Sequence, residues 1–351
     1  MLPSKALLFD RKTLASWLRY TEASQALRLL RMPMKFNHIL FPTDFSERSR
    51  ALNQQVEWLA TRFGSHVTLM HVFEMPAAWY GAGEASFLNM DCVNLLRNSA
   101  QQSLRDYALQ IPKARLQHVV AEGNVAGEIL NFASAHEVDL IVMGTHGYGA
   151  IQGWLLGSVT GKVLHGSKCA VWTDSPFHAR RNDSGISTIL CAVELIEEAV
   201  PLLQFVKQLA TELGATVRLF HSVPELETRP NRHFDLDLHQ YLMESARVEI
   251  AKLQREAGTE FPLSVSGVGI SDGLTAAASE YGADLVVIGR GKAQKLLGRF
   301  QTRAYEIIRS APCPVLSYSV NQPSHISSSC IEEHLSQCAG GARLLTGSPQ
   351  P

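Results

Sequence analysis

The sequence predicts an α/β fold of two tandem domains, each a doubly wound, mostly parallel sheet. Three observations support this prediction. The chain has 351 residues, which is more than one ordinary domain contains. Its two halves repeat one another, and each half alternates strand-like runs with amphipathic helical stretches. Strands separated by helices form βαβ units, which build parallel sheets with right-handed crossovers.

The repeat keeps its register over most of each half. At an offset of 150, Leu59-Ala60-Thr61 aligns with Leu209-Ala210-Thr211, and His71 aligns with His221. Further along, the offset falls to 145, where DLIVMG at 139–144 aligns with DLVVIG at 284–289. We therefore expect a duplicated domain.

The elements of the first copy follow from hydrophobic periodicity. Apolar or β-branched runs predict strands at 38–42, 66–73, 116–121, 140–143 and 170–173. Helical spacing predicts helices at 46–63, 92–110, 127–136 and 158–165, with stops at Gly64 and at Ile111-Pro112. The first domain is expected to span 35–175.

The second copy has the same order of elements. Its predicted strands are 188–193, 216–222, 263–268, 285–288 and 315–320, and its predicted helices are 201–213, 238–257, 275–281 and 302–310. The second domain is expected to span 188–320. A flexible linker at 176–187, with Pro176 and the run NDSG at 182–185, is expected to join the two domains.

The two ends belong to neither copy. Residues 1–34 are basic and Leu-rich and are predicted to be a loosely ordered extension, with a membrane-surface helix or a start at Met32 or Met34 as alternatives. They contain no continuous apolar segment of the kind found in a secretory signal. Residues 321–351 are rich in Ser, Gly and Pro and are predicted to be a disordered tail.

Composition limits the location and the partners of the chain. The formal net charge of −1 provides no electrostatic footprint for nucleic acid. No apolar run reaches the roughly 18–20 residues of a membrane-spanning helix. The six cysteines are scattered without a C-x-x-C pair or metal-like spacing, and three lie in apolar strand-like runs. We therefore expect a cytoplasmic protein with no integral membrane segment.

Two segments of the first copy follow predicted strands and carry residues suited to a ligand. One is Pro42-Thr43-Asp44, directly after the first strand, and the other begins at Met143 and Gly144, at the end of the fourth strand. In open parallel α/β sheets, ligands bind at the carboxyl ends of strands near the point where strand order reverses. Both segments are therefore expected at the binding edge.

Glycines bracket the second of these segments. Gly144 and Gly147 are followed, after nine residues, by Gly157 and Ser158. Glycine allows close approach of the backbone to a ligand, and the N–H groups at a helix start favour phosphate oxygens. Ser158 and Thr160 are expected to add hydroxyl donors. A Gly-rich loop alone also serves as a tight turn, but this spacing is more specific.

The pattern Gly144-x-x-Gly147, nine residues, Gly157-Ser158 resembles the ATP-binding signature of the universal stress protein family. Family-like stretches also occur as HILFPTDFS at 38–46, HV at 71–72 and VDLIVMGTHG at 138–147. The resemblance covers about residues 36–174 strongly and 186–320 more weakly. It implies an adenine nucleotide alpha hydrolase-like, Rossmann-like fold for each copy.

The resemblance also implies roles for individual residues. The Asp44 carboxylate and the backbone of Pro42-Thr43 would face the nucleoside, and the backbone of Val72 would meet adenine. Met143 and Gly144 would flank the ribose. An alternative interpretation of Asp44 is an acidic residue that stabilises a helix N-terminus.

The triphosphate would lie against four further positions, again by resemblance. These are Gly147, Gly157, Ser158 and Val159. A divalent cation, Mg²⁺ or Mn²⁺, would lie on the phosphates.

The second copy departs from this pattern. Glu194 replaces Asp44, Gly289-Arg290-Gly291 is one residue shorter than Gly-x-x-Gly, and Gln301-Thr302 replaces Gly157-Ser158. Five basic residues remain nearby: Arg290, Lys292, Lys295, Arg299 and Arg303. Either ATP binding is lost in this copy, which we favour, or another anion binds there.

Three function classes remain open on sequence alone. The leading one is an ATP-binding stress or regulatory protein with little or no turnover. The alternative is a slow ATPase or a nucleotidyl or phosphoryl transferase of the same fold, although the H-x-G-H and S-G-G-x-D-S stretches typical of such transferases are absent. The third is a structural scaffold.

The last strand of each copy bears on assembly. Both 170–173 and 315–320 are apolar, and an unpaired apolar edge is an association liability. We expect the two copies to pair through these strands within one chain, with a homodimer as a further form of assembly.

Overall fold

The structure, a computed structural model, describes residues 35–75, 86–145, 156–174, 185–196, 198–223, 232–290 and 299–319. The predictions made for 1–34, for the linker before residue 185 and for 321–351 concern residues outside these ranges. The predictions made for Gly147, Gly291, Lys292 and Lys295 also concern residues outside these ranges.

The first repeat contains five strands and five α-helices within the described residues. They are β1 (His38–Pro42), α1 (Glu47–Arg50), α2 (Asn53–Phe63), β2 (His66–Phe73), α3 (Ser86–Arg105), β3 (Leu116–Glu122), α4 (Val125–Ala135), β4 (Leu140–Gly144), α5 (Ser158–Gly166) and β5 (Ala170–Asp174).

The second repeat follows the same plan within its described residues. Its elements are β6 (Thr188–Ala192), α6 (Ala199–Leu213), β7 (Thr216–Ser222), α7 (Arg232–Ala257), β8 (Leu263–Ser266), α8 (Ile270–Glu280), β9 (Leu285–Arg290), α9 (Arg299–Ser310) and β10 (Val315–Ser319).

All ten strands form one sheet in the order β3-β2-β1-β4-β5-β10-β9-β6-β7-β8. Neighbouring strands are parallel within each repeat, and β5 and β10 are antiparallel where the repeats meet. Each repeat is therefore doubly wound, as the sequence predicts. Strand order reverses between β1 and β4 in the first repeat and between β6 and β9 in the second, and each reversal creates a crevice at the carboxyl ends of the strands.

Continuous apolar runs form the central strands because both of their faces are buried. All of Leu140, Ile141 and Val142 in β4 are fully buried, and so are Leu285, Val286 and Val287 in β9. Two glycines end equivalent helices after β1 and β6: Gly64 and Gly214 both have φ 69°, a left-handed conformation that favours glycine.

Two helices of the first repeat differ from their predicted bounds. The predicted helix 46–63 is divided by a turn at Ala51 and Leu52, with Leu52 packed into the core. The predicted helix 92–110 begins instead at Ser86 and ends at Arg105, because Tyr107 turns inward after it. The Tyr107 ring lies 6.4 Å from that of Phe41, and its hydroxyl donates to the Asn53 side chain at 2.9 Å. Tertiary packing therefore determines both the break in the first helix and the end of the second.

The repeats meet along β5 and β10, where Val171 pairs with Ser317 and Trp172 pairs with Leu316. The Thr173 hydroxyl donates to the Val315 carbonyl at 3.2 Å. On one face of this junction, α9 lies near α5, and the Tyr305 hydroxyl donates to the carbonyl of Gly161 at 2.9 Å. Within the described ranges, no helix has the length and apolar character needed to cross a membrane.

Candidate functional site

The carboxyl ends of β1 and β4 lie side by side at the reversal of strand order. Ile39 pairs with Leu140 and Leu40 with Ile141, so the chain leaves both strands at the same edge. The structure thereby brings together two segments that the sequence singled out, 42–44 and 143–144. Their side chains differ in exposure, since Thr43 and Met143 are buried whereas Asp44 is exposed.

Hydrogen bonds order the turn after β1. Oδ1 of Asp44 accepts from the main-chain N–H of Ser46 at 3.0 Å and from its hydroxyl at 2.6 Å. The Ser46 hydroxyl in turn accepts from the N–H of Ser49 and caps α1. The helix cap is therefore Ser46, and Asp44 acts on the turn that precedes it. Its exposed carboxylate remains at the binding edge.

Phe45 is a feature of this turn that the sequence did not reveal. Its φ of 62° is left-handed, a conformation that costs free energy in a non-glycine residue and that concentrates at functional sites. Its ring lies 4.4 Å from that of His71, and Nδ1 of His71 donates to the Thr43 carbonyl at 2.8 Å. The His71 side chain thus supports the turn, which agrees with a structural role for this histidine.

Val72 lies at the carboxyl end of β2, beside the same turn. Pro42 pairs with Met70 in the neighbouring strand, and the N–H of Thr43 donates to the Met70 carbonyl at 2.8 Å. Val72 is buried two residues further towards the binding edge. Its backbone is therefore near the segment 42–44, where the resemblance expects adenine.

The N-terminus of α5 opens towards the end of β4. The N–H of Gly157 donates to the Thr145 carbonyl at 2.9 Å, and the N–H of Thr145 donates to the Asp174 carbonyl at 3.0 Å. No side-chain hydrogen bond from the described residues caps α5, in contrast to α4, where the Asn124 side chain accepts from Gly127 N. The first-turn N–H groups, from Ser158 onward, have no carbonyl partner within the helix.

Ser158 and Val159 begin this helix. Ser158 is exposed and Val159 is half-buried. Gly157 has φ −54° and ψ 139°, which any residue can adopt, so its lack of a side chain matters for close approach and not for backbone strain.

The expectation that Thr160 supplies a donor to a ligand is wrong. Its side chain is buried, and its hydroxyl donates to the Gly144 carbonyl at 2.9 Å. Thr160 therefore fastens the first turn of α5 to the end of β4. The sequence predicted that Thr160 lies in the first turn of this helix. The direction of its side chain depends on how the helix packs on the sheet.

The equivalent edge of the second repeat keeps part of this framework. Nδ1 of His221 donates to the Val193 carbonyl at 2.7 Å, as His71 does in the first repeat. Ala304 occupies the position equivalent to Thr160, so α9 lacks the hydroxyl that ties α5 to its strand. A Cβ added to Gly289 would lie 3.2 Å from Cδ2 of Leu202, so little room remains beside this glycine.

The sequence suggested that Arg290 belongs to a cationic surface at the second edge. The structure contradicts this prediction. Arg290 is buried, and its guanidinium donates to main-chain carbonyls of Leu164, Ser167 and Cys169 in the first repeat. Burial lowers the pKa of Arg290 to about 10, so the group stays charged at neutral pH. The guanidinium is committed to these carbonyls and is not available to an anion at the second edge.

No group of three or more His, Cys, Asp or Glu side chains that could bind a metal ion occurs among the described residues.

Comparisons with known proteins assign the two repeats to one family. The sequence model of the universal stress protein family matches residues 35–173 and again 185–318. A curated relative, universal stress protein A homolog 1 of Coxiella burnetii, is 29% identical over 144 residues, which cover 40% of this chain and 98% of the relative.

Solved structures have the same fold. A universal stress protein from Archaeoglobus fulgidus superposes with a TM-score of 0.51 at 19% identity, covering 81% of this chain and 97% of that protein. A functionally unknown protein from Pseudomonas aeruginosa PAO1 has a TM-score of 0.55 at 16% identity, covering 90% and 99%. At these identities the similarity concerns the fold alone.

Proposed function

The chain belongs to the universal stress protein family, and we propose that its first domain binds ATP whereas its second domain does not. The observation that carries this proposal is the N-terminus of α5, which no side chain of the described residues caps, beside the carboxyl ends of β1 and β4. Main-chain N–H groups and the positive end of the helix dipole favour phosphate at such a position. The Gly144, Gly147, Gly157 and Ser158 spacing supports the same ligand.

Different residues are proposed to contact the nucleoside and the triphosphate of ATP. The nucleoside lies against the turn 42–44 and the backbone of Val72, with Met143 and Gly144 beside the ribose. The triphosphate lies against Gly147, Gly157, Ser158 and Val159. Mg²⁺ or Mn²⁺ binds mainly through the phosphates, as Mg²⁺ commonly does at nucleotide sites.

The proposed role is regulatory, with bound ATP altering stability or partner choice at little or no turnover. Hydrolysis would require a group that activates water. The His71 ring, at the edge of the site, donates from Nδ1 to the Thr43 carbonyl, and we assign it a structural role. We also place the protein in the cytoplasm, since Cys169 and Cys191 are buried cysteines outside any disulfide, as in a reducing compartment.

Loss of the second site rests on substitutions at equivalent positions. Ala304 lacks the hydroxyl of Thr160, Leu202 packs close to Gly289, and Arg290 extends towards the first domain. A second nucleotide would lose the anchored helix start and would meet Glu194 where the first domain has Asp44.

Two measurements on the full-length chain test the proposal. Denaturing the purified protein should release ATP, identified by chromatography, and calorimetry on nucleotide-free protein should give one ATP per chain. A stoichiometry of two contradicts the loss of the second site, and no binding contradicts the proposal as a whole. Steady release of ADP during incubation would instead favour a slow ATPase.

A further inference from the structure

One side chain of the second domain reaches the helix that starts the proposed phosphate site. Arg290 ends β9, and its guanidinium donates to the carbonyls of Ser167 at 3.1 Å and Cys169 at 2.6 Å. It also donates to the carbonyl of Leu164, in the last turn of α5. These carbonyls belong to the C-terminal end of α5 and to the connection that follows it.

The position of this charge follows the electrostatics of a helix. The last carbonyls of a helix have no partner within it and carry the negative end of its dipole. A cation there stabilises the helix, while the opposite end of the same α5 presents its N–H groups to the proposed phosphates. Because α5 has only nine residues, it spans about 14 Å as one rigid unit.

We propose that Arg290 is a positioning residue for the ATP phosphates, through which the second domain sets the phosphate affinity of the first. This inference rests on the proposed ATP site. Arg290 fixes the C-terminal end of α5, and the Thr160 hydroxyl fixes its first turn to Gly144 at 2.9 Å. The helix start is thereby held in place for phosphate by contacts at both ends.

Stability alone is a poor explanation for a buried arginine. Removing a charge from water costs several kcal/mol, and apolar replacements of buried charges are often neutral or stabilising. Nε of Arg290 is buried without a hydrogen-bond partner in the part of the chain that the structure describes, so the group is not fully compensated. The equivalent position in the first repeat is the uncharged Thr145. The arginine is therefore specific to the domain that has lost the ATP motif.

Thermodynamic coupling is reciprocal, so phosphate binding at one end of α5 should also stabilise the Arg290 contacts at the other. The coupling concerns the phosphates and not the nucleoside, because the proposed nucleoside contacts lie outside α5, at the ends of β1, β2 and β4. ATP and adenosine should therefore respond differently to changes at Arg290.

Calorimetric titrations of ATP and of adenosine into four forms of the full-length chain test this inference. The forms are the natural chain, Arg290→Met, Arg290→Lys and Tyr305→Phe. Tyr305→Phe is the matched control because it removes another contact from the second domain to α5, made to the Gly161 carbonyl in mid-helix. Adenosine should bind all four forms equally.

For ATP, we expect Arg290→Met to weaken binding roughly five- to twentyfold, with Arg290→Lys intermediate and Tyr305→Phe unchanged. An equal loss for ATP and adenosine, or no loss for either, overturns the inference, because Arg290 would then be merely structural or irrelevant. If the natural chain does not bind ATP, the proposed function itself fails, and that result is distinguishable from the outcomes for the variants.

A second measurement covers the case in which Arg290→Met does not fold. Hydrogen exchange on the natural chain should show that ATP, but not adenosine, slows amide exchange in β9 (Leu285–Arg290), outside the ATP-binding domain. This protection should decrease in Arg290→Lys. Equal exchange in β9 with ATP and with adenosine overturns the inference.

Discussion

The hydroxyl of Thr160 donates to the main-chain carbonyl of Gly144 at 2.9 Å, joining the first turn of α5 to the end of β4. Both residues belong to the strand–loop–helix unit in which ATP binding is proposed. In the second repeat the pair is Ala304 and Gly289, and this hydrogen bond has no equivalent because alanine has no hydroxyl. The Thr160 hydroxyl is therefore a second difference between the two sites, in addition to the difference in glycine spacing.

Thr160→Val keeps the shape of the side chain and removes the donor. The Gly144 carbonyl would lose this partner, so we expect the free energy of unfolding to fall by about 1–3 kcal/mol. ATP binding should weaken by up to about tenfold as the helix start loosens. Urea denaturation and calorimetry measure both effects. Thr160→Ser retains the hydroxyl and serves as the control, and an equal loss in both variants contradicts a role for the hydrogen bond.

Gly157→Gln copies the residue that the second repeat has at this position. Because φ at Gly157 is −54°, glutamine fits the backbone and the protein should fold. Its side chain would occupy the space assigned to phosphate oxygens and weaken ATP binding about ten- to a hundredfold. Gly157→Ala adds only a methyl group and should lose less. Unchanged ATP affinity in well-folded Gly157→Gln would contradict the proposal that the phosphates lie against Gly157.

Asp44→Asn tests the nucleoside half of the site. Replacing a charged acceptor by an amide should weaken ATP and adenosine alike, by roughly tenfold, because the proposed contact is to the part that they share. The control is Asp106→Asn, which alters an exposed carboxylate that accepts from Gln102 after the end of α3. A loss of affinity for ATP alone would contradict a contact between Asp44 and the nucleoside. It would indicate that Asp44 acts on the phosphates or their cation.

Much of the fold could be predicted from the sequence because it depends on local pattern. The continuous apolar run 140–143 predicted a buried strand, and the structure extends β4 by one residue, to Gly144. Gly64 predicted the end of α2, where a left-handed residue is needed, and α6 ends at the equivalent Gly214. Family membership was predicted from the spacing of the glycines in the first repeat, which can be kept when sequence identity is low.

The remaining features depend on long-range contacts that no window of sequence contains. The left-handed Phe45 is held between a histidine ring from β2 and a hydroxyl network around α1. Arg290 lies in a segment with several basic residues, which suggested a cationic surface, yet three of its four carbonyl partners lie more than 120 positions earlier in the chain. Only the order of the strands in the sheet brings them together.

Val171→Lys tests whether the two domains fold as one unit. Val171 is fully buried and pairs with Ser317 across the junction of β5 and β10, so lysine would bury an unpaired charge. We expect a loss of about 3 kcal/mol or more, in a single transition that involves both domains. Val248→Lys, at a site 48% exposed on α7, is the control and should change stability by less than about 0.5 kcal/mol. Separate transitions for the two domains would contradict the internal pair.

His38 should make the stability of the first domain depend on pH. Nδ1 of His38 donates to the His136 carbonyl at 3.0 Å, and Nε2 lies 2.9 Å from the Thr68 hydroxyl, in a hydrogen bond that either group can donate. Burial lowers the pKa of His38 from its usual 6.5. Between that lowered value and 6.5 the unfolded chain binds more protons, so stability falls as pH decreases through this window.

The test compares urea denaturation of the natural chain and of His38→Gln at several pH values from 7.5 to about 5. Glutamine does not titrate, so this variant should lose less stability on acidification, by roughly 1.4 kcal/mol for each unit by which folding lowers the pKa of His38. The pKa of His118 is also lowered by burial, but it titrates in both proteins and cancels in the comparison. Parallel pH profiles would show that the folded protein accepts a charged His38 at no cost, contrary to the effect of its burial.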